Sequence, residues 1–156
     1  MFFFKPNVEK LKEKRDVNGL VKALRHKDPS IRRKAARALG ELKAKDALDA
    51  LIDALNDEDV AVRLEVVRAL GRIKDERAIE HLLEVLRKDE SLDVKIEAAK
   101  ALREIGYSKA TEMLIDSISK SLKIPAAMAE KMVKEGKLLD AIAGKRDLID
   151  KLLKRL

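Results

Sequence analysis

Cysteine is absent and histidine occurs only as His26 and His81, so thiol nucleophiles, cysteine zinc sites and most imidazole chemistry are excluded before spacing is considered. His81 follows Glu80, but a metal site needs three or four convergent ligands. Ser and Asp occur without a His at any spacing suggestive of a triad. Gly40 and Gly71 stand singly, so no glycine-rich phosphate loop is present. The chemistry that remains is electrostatic. Arg33, Arg37, Arg68, Arg72 and Lys100 recur with Leu64 and Ile96 at related positions, and the value of that set depends on the elements that carry it.

Those elements repeat. Leu20-Val21, Leu51-Ile52 and Leu82-Leu83 recur at a spacing of 31, followed at the same spacing by Leu24, Leu55 and Leu86. Ala38-Leu39-Gly40 matches Ala69-Leu70-Gly71 at 31 and Ala101-Leu102-Arg103 at 32, the extra residue lying in the Asp89 to Asp93 turn. A fourth unit opens with Leu114-Ile115 and then loses the pattern. Within a unit, Leu20, Val21 and Leu24 form one helical face, Asp28-Pro29-Ser30 a turn, and Ile31, Ala35, Leu39 and Leu42 a second helical face. Asp28 or Ser30 can cap the second helix and Pro29 suits an early helical position; Asp57 to Asp59 serve the next unit in the same way. One such hairpin has too little core to stand alone, so neighbours must stack.

The ends depart from the repeat. Asn7 to Lys14 predict a short cap helix with Val8 and Leu11 inward, and Asp16 starts the next helix. Beyond Ile124, Pro125 predicts a helix start, Met128, Met132 and Val133 a face, and Gly136 a stop. Leu148, Ile149, Leu152, Leu153 and Leu156 predict an apolar stripe on a final helix. The reading is a single domain over 1–156: an N-terminal cap at 1–15, repeats at 16–121 and a divergent helical cap at 122–156.

The stretch Asp28-Pro29-Ser30-Ile31-Arg32-Arg33-Lys34-Ala35-Ala36-Arg37-Ala38-Leu39-Gly40, with Val62-Arg63 and Val94-Lys95 opening the equivalent helices, resembles the HEAT-like repeats, particularly the short variety first associated with phycobilisome lyases. The resemblance covers about residues 16 to 121. It implies an all-α solenoid of three to four helical hairpins, an armadillo-like superhelix whose second helices line the concave surface. It implies a binding scaffold with varied partners, and it gives Arg32, Arg63 and Lys95 the structural task of pairing with turn acids of a neighbouring repeat. HEAT-like hydroxylases of the deoxyhypusine type carry His-Glu pairs in several repeats, and this chain has none in that order. HEAT-like DNA glycosylases place aromatic residues near the lesion, and Trp is absent here. A lyase-type accessory role follows from the family label alone.

With 46% hydrophobic and 40% charged residues, the chain is too apolar for a disordered polyelectrolyte and should fold. Aromatics are 3%, and three of the four are Phe2, Phe3 and Phe4, which leaves only Tyr107 for base stacking. No apolar run approaches the roughly 20 residues that span a bilayer, and a cytoplasmic location is expected. Glutamine is absent among abundant Lys, Arg, Glu and Asp, as in thermophiles. The net charge of +7 is uneven: residues 1 to 43 hold 13 basic and 5 acidic side chains, residues 44 to 106 hold 11 and 16, and residues 107 to 156 hold 11 and 7.

With Ile31 inward and 100° per residue, Arg33, Arg37 and Glu41 fall on the opposite side of their helix. The equivalent rows are Arg33, Leu64 and Ile96; Arg37, Arg68 and Lys100; and Glu41, Arg72 and Glu104. The expectation is an exposed basic ladder bordered by exposed Leu64 and Ile96, with side chains exchangeable at little loss of fold. Such a groove suits an acidic amphipathic protein segment. Nucleic acid or another polyanion is the alternative partner, although Glu41, Glu65, Glu97 and Glu104 would interrupt a phosphate track. No catalytic residue, cofactor or metal is expected.

Overall fold

Each second helix begins where a turn side chain satisfies a backbone N–H that the helix itself cannot. Asp28 accepts from the Ser30 N–H at 2.9 Å, Asp59 from Val62 at 3.1 Å and Ser91 from Val94 at 3.4 Å. In the computed structural model, which describes residues 5–107 and 109–134, these caps open α3 (Pro29–Glu41), α5 (Val60–Ile73) and α7 (Leu92–Ile105). The first helices are α2 (Val17–Ala23), α4 (Leu48–Ala54), α6 (Ile79–Lys88) and α8 (Ala110–Leu122), with short 3₁₀ turns leading into α4 and α6. The cap helix α1 (Val8–Glu13) packs on α2 and α3, and α9 (Ala126–Lys134) packs on α8. No strand occurs among the described residues. The fold is the expected all-α solenoid.

The predicted core positions are buried: Leu20, Leu51 and Leu82 are 0% exposed and Leu114 is 1% exposed. Val8 on α1 is buried as expected, and Asp16 accepts from the Gly19 N–H to start α2. Met132 is buried and Met128 half-buried on α9. Phe2 to Phe4, Gly136 and the stripe from Leu148 to Leu156 lie outside the described residues.

The second helices pack closely on one another, α3 on α5 and α5 on α7, while the first helices α2 and α4, and α4 and α6, barely touch. Two glycines permit this. A Cβ on Gly40 would stand 2.7 Å from Ala69 Cα, and one on Gly71 would stand 3.1 Å from Ala101 Cα. Between α2 and α4 a gap of about 250 Å³ remains, lined by Val21, Leu24, Ala50 and Asp53. Tight spacing in one layer and wide spacing in the other bends the array with the second helices on its inner side.

A second set of contacts stitches the turns. Arg32 makes a bidentate pair with Asp57 through Nε at 2.8 Å and Nη2 at 3.1 Å, while its Nη1 donates to the His26 carbonyl at 2.9 Å. Arg63 repeats the arrangement with Asp89 and the Asp57 carbonyl. Each turn carboxylate also accepts a local N–H, from Asp59 or Ser91, so planar guanidinium and fixed acceptor match. Lys95 holds the third position, half-buried on α7, and the end of α8 with the turn after it, Ser121-Leu122-Lys123-Ile124-Pro125, offers no carboxylate to it.

Glycine inside a helix normally costs about 1 kcal/mol relative to alanine. Here the order should invert. Gly40→Ala should lower stability by about 1–3 kcal/mol, because its new Cβ meets backbone that can yield only if α3 and α5 separate. Gly71→Ala, with its nearest contacts at 3.0 and 3.1 Å, should cost clearly less. Urea denaturation of both variants checks this, and a stabilised Gly40→Ala protein would refute the packing account.

Candidate functional site

A second helix in the middle of the array is flanked by another on each side and by its own first helix beneath. Only a narrow strip of its surface reaches solvent. On α3 that strip carries Arg33, Lys34, Arg37 and Glu41, all exposed; on α5 it carries exposed Arg68 and Arg72. On α7 it carries half-buried Glu97 and Lys100 with exposed Glu104. The structure therefore brings Arg33, Arg37, Arg68, Arg72 and Lys100 onto one inner surface.

The apolar border is a correction. Leu64 is half-buried against the core and Ile96 is 0% exposed, so no exposed apolar row flanks the basic one. A helical wheel has one buried side, whereas α5 and α7 are also covered by the helices packed beside them. At Ile96 the core does not end, because the apolar cluster runs on through Ile118, Ile124, Ala129 and Met132.

The basic ladder is also not simply basic. Arg37 Nη2 lies 2.6 Å from Glu65 Oε1, and Arg68 reaches the same oxygen at 3.5 Å through Nη1. Arg68 Nη2 lies 3.3 Å from Glu97 Oε1, which Lys100 approaches at 3.8 Å. Five side chains thus alternate in charge across three helices. Their depths differ: the Glu65 side chain is 5% exposed and that of Glu97 14%, whereas Arg37 is 55% and Arg68 42% exposed. The carboxylates form a floor and the guanidiniums the surface above it. The Glu65 hydrogen bond and charge raise the Arg37 pKa further above its ordinary value. At the cap end Lys12 pairs with Glu41, whose carboxyl is thereby held below its usual range.

Glu65 and Glu97 stand at the position of Lys34 in their repeats, and sequence reasoning counted them only as interruptions. The signal was there: a glutamate follows Arg37 by 28 residues and Arg68 by 29, one repeat less one helical turn, which lets it lean back across the interface. Also missed was a regular acidic array on the first helices. Asp49 and Asp53 on α4, Glu80 and Glu84 on α6, and Glu112 and Asp116 on α8 are all exposed, each pair four residues apart and at repeat spacing from the next. The first repeat has Asn18 and Lys22 there instead. The negative middle of the chain is thus in large part an outer-layer property, while the inner strip exposes more cations than carboxylates. His81 is exposed on α6, and no cluster of three His, Asp or Glu side chains suited to a metal occurs among the described residues. No described helix is long and apolar enough to cross a membrane.

Compared with known proteins, residues 17–103, more than half of the chain, match a family model described as HEAT repeats. No curated protein matches the chain.

The depth of the carboxylates changes what mutation should do. Replacing Arg37 and Arg68 together by Glu leaves Glu65 buried against two new like charges and should cost about 2–4 kcal/mol. Arg33→Glu with Arg72→Glu, at exposed positions outside those ion pairs, should cost less than about 0.5 kcal/mol. Chemical denaturation separates the two, and equal losses would refute the floor-and-surface arrangement.

Acid should weaken the fold in a defined window. Asp28 is held below its ordinary value mainly by the Ser30 N–H, Glu41 by Lys12, Glu84 by Lys88, and Asp75 to about 2 by Arg77. Depressed carboxyls contribute stability above their unfolded values and lose it as pH falls through the folded ones. Lys12 is raised above 10.5, so its share is complete at neutral pH. Tm should therefore be flat from neutral pH down to about 5 and fall between about 4.5 and 2, as followed by circular dichroism.

Proposed function

The chain belongs to the HEAT-repeat family, and from that premise we propose that it is a non-enzymatic scaffold that binds an acidic protein segment along the inner strip of its second helices. HEAT repeats commonly serve as protein-interaction scaffolds. The observation that carries the reading is the separation of charge by layer. Exposed Arg33, Lys34, Arg37, Arg68 and Arg72 face inward, Arg37 and Arg68 over the paired carboxylates of Glu65 and Glu97, while Asp49, Asp53, Glu80, Glu84, Glu112 and Asp116 face outward. Such a field steers an anionic partner to one face and repels it from the other.

Arg37 and Arg68 are suited to carboxylates for a further reason. Glu65 and Glu97 hold their guanidiniums in place, so less side-chain entropy is lost when a partner binds. Leu64 offers a small apolar contact, Lys100 closes the strip on α7, and Ile96 has no surface to contribute. A protein segment fits better than nucleic acid because Glu41 and Glu104 are exposed on the same strip and break a continuous phosphate track.

Capture from nuclease-treated extract of the native host, using wild-type protein, an Arg33→Glu/Arg72→Glu variant and an Asp49→Lys/Glu80→Lys variant, tests the proposal. The inner-strip variant should lose at least about tenfold of the captured partner. The outer-layer variant should keep it. Loss through the outer variant alone, or capture abolished by nuclease, would overturn the reading.

A further inference from the structure

Where the inner strip meets the cap helix, α1 and α3 diverge around a groove of about 540 Å³. Its walls carry Lys5 and Lys12 on the cap side and Lys34 and Arg37 on α3, and its floor includes Pro6, Val8, Ile31 and Ala38. Lys34 and Arg37 are three residues apart and so face the groove together. Arg37 is also the first rung of the charge ladder, which makes the groove and the strip one continuous surface.

The groove's own carboxylates leave it cationic. Glu41 is taken up by Lys12 and Arg37 is paired from beneath with Glu65, so Lys34 and the exposed Lys5 are the groove's available cations, and Glu9 is the other acid in the lining. Lys5 lies 3.6 Å from Asp28, but its side chain is 76% exposed, and so open a pair is weak. Lys34 is exposed and makes no ion pair among the described residues. A volume of this size lies in the range that holds drug-sized ligands, or about three to four peptide residues.

The geometry points to this groove as the anchor for the acidic end of the bound protein segment, with carboxylates between Lys5 and Lys34 and an aliphatic side chain over the Pro6 and Ile31 floor. The inference rests on the inner-strip reading and adds to it a fixed end and polarity. A peptide is favoured over phosphate because the cations are spread over two walls, separated by Glu9 and Glu41, above an apolar floor. That pattern suits side chains spaced along a chain better than one compact anion.

The probe is a fluorescein-labelled peptide of two glutamate-glutamate-leucine repeats, titrated by anisotropy at low ionic strength into the full chain. Wild-type protein should bind saturably and lose affinity with added salt. Lys5→Glu/Lys34→Glu should weaken binding by about tenfold or more, while Asp49→Lys/Glu80→Lys, on the outer layer, should change it by less than about threefold. Circular dichroism and Tm should match wild type for both, since all four positions are exposed. If Arg72→Glu abolishes binding and Lys5→Glu/Lys34→Glu does not, the groove is overturned and the strip reading stands. If the peptide does not bind at all, the groove is overturned, and the capture experiment still decides the strip. If a single-stranded DNA oligonucleotide binds more tightly than the peptide and is lost with Lys5→Glu/Lys34→Glu, the assignment to a peptide is overturned.

Discussion

The approach of the second helices through Gly40 and Gly71 is the constraint on which the rest of the molecule depends. With a methyl group at either position, α3 and α5, or α5 and α7, would be held farther apart. The first helices α2, α4 and α6 have no such close contact with one another, and a gap remains between α2 and α4. The mismatch between the layers bends the array. It also fixes which side chains can reach across: Glu65 meets Arg37, and Glu97 meets Arg68, only because their backbones are drawn together.

Close approach explains why a buried carboxylate is tolerated on the inner face. Glu65 has lost most of its water, which would be costly if it were unpaired, and two guanidiniums replace the lost hydration. The net gain in stability from such a network is small, because desolvation offsets much of the Coulomb attraction. Its structural effect is to register one helix against the next and to hold the arginines upright. The turn pairs Arg32–Asp57 and Arg63–Asp89 register the same repeats at the other end of each second helix. Each repeat is therefore located by a glycine contact and by ion pairs at two heights, and the exposed strip between them is a rigid surface.

Much of this was legible in the sequence. Periodic leucines, turn caps and the position of Arg32 and Arg63 follow from local chemistry repeated at fixed spacing, so each copy supports the reading of the others. What was not legible depends on contacts between copies. Ile96 shares a row with Arg33 and Leu64, and its burial is decided by the helices that follow α7, not by its own. Glu65 looked like an isolated interruption because its partner Arg37 lies 28 residues away, at neither a helical period nor the repeat period. The outer acidic array is hidden in the sequence because charge summed by segment mixes the two layers, whose helices alternate along the chain.

The end of the ladder is written in three substitutions within one repeat. Where Gly40 and Gly71 admit a neighbouring backbone, the third repeat has Arg103, whose exposed side chain leaves no room for a helix packed as closely. Where Arg32 and Arg63 each have a turn carboxylate ahead of them, Lys95 has a turn without one. Where Arg33 is exposed and Leu64 half-covered, Ile96 is buried. Beyond α7 the packing changes in kind: Ile118, Ile124, Ala129 and Met132 supply apolar contact, and the Ser119 hydroxyl donates to the Ile124 carbonyl to hold the exit from α8. The devices that space, register and expose the second helices run out together at α7. The charged inner strip is therefore a property of α3, α5 and α7, closed on one side by apolar packing and open on the other to the cationic groove beside α1.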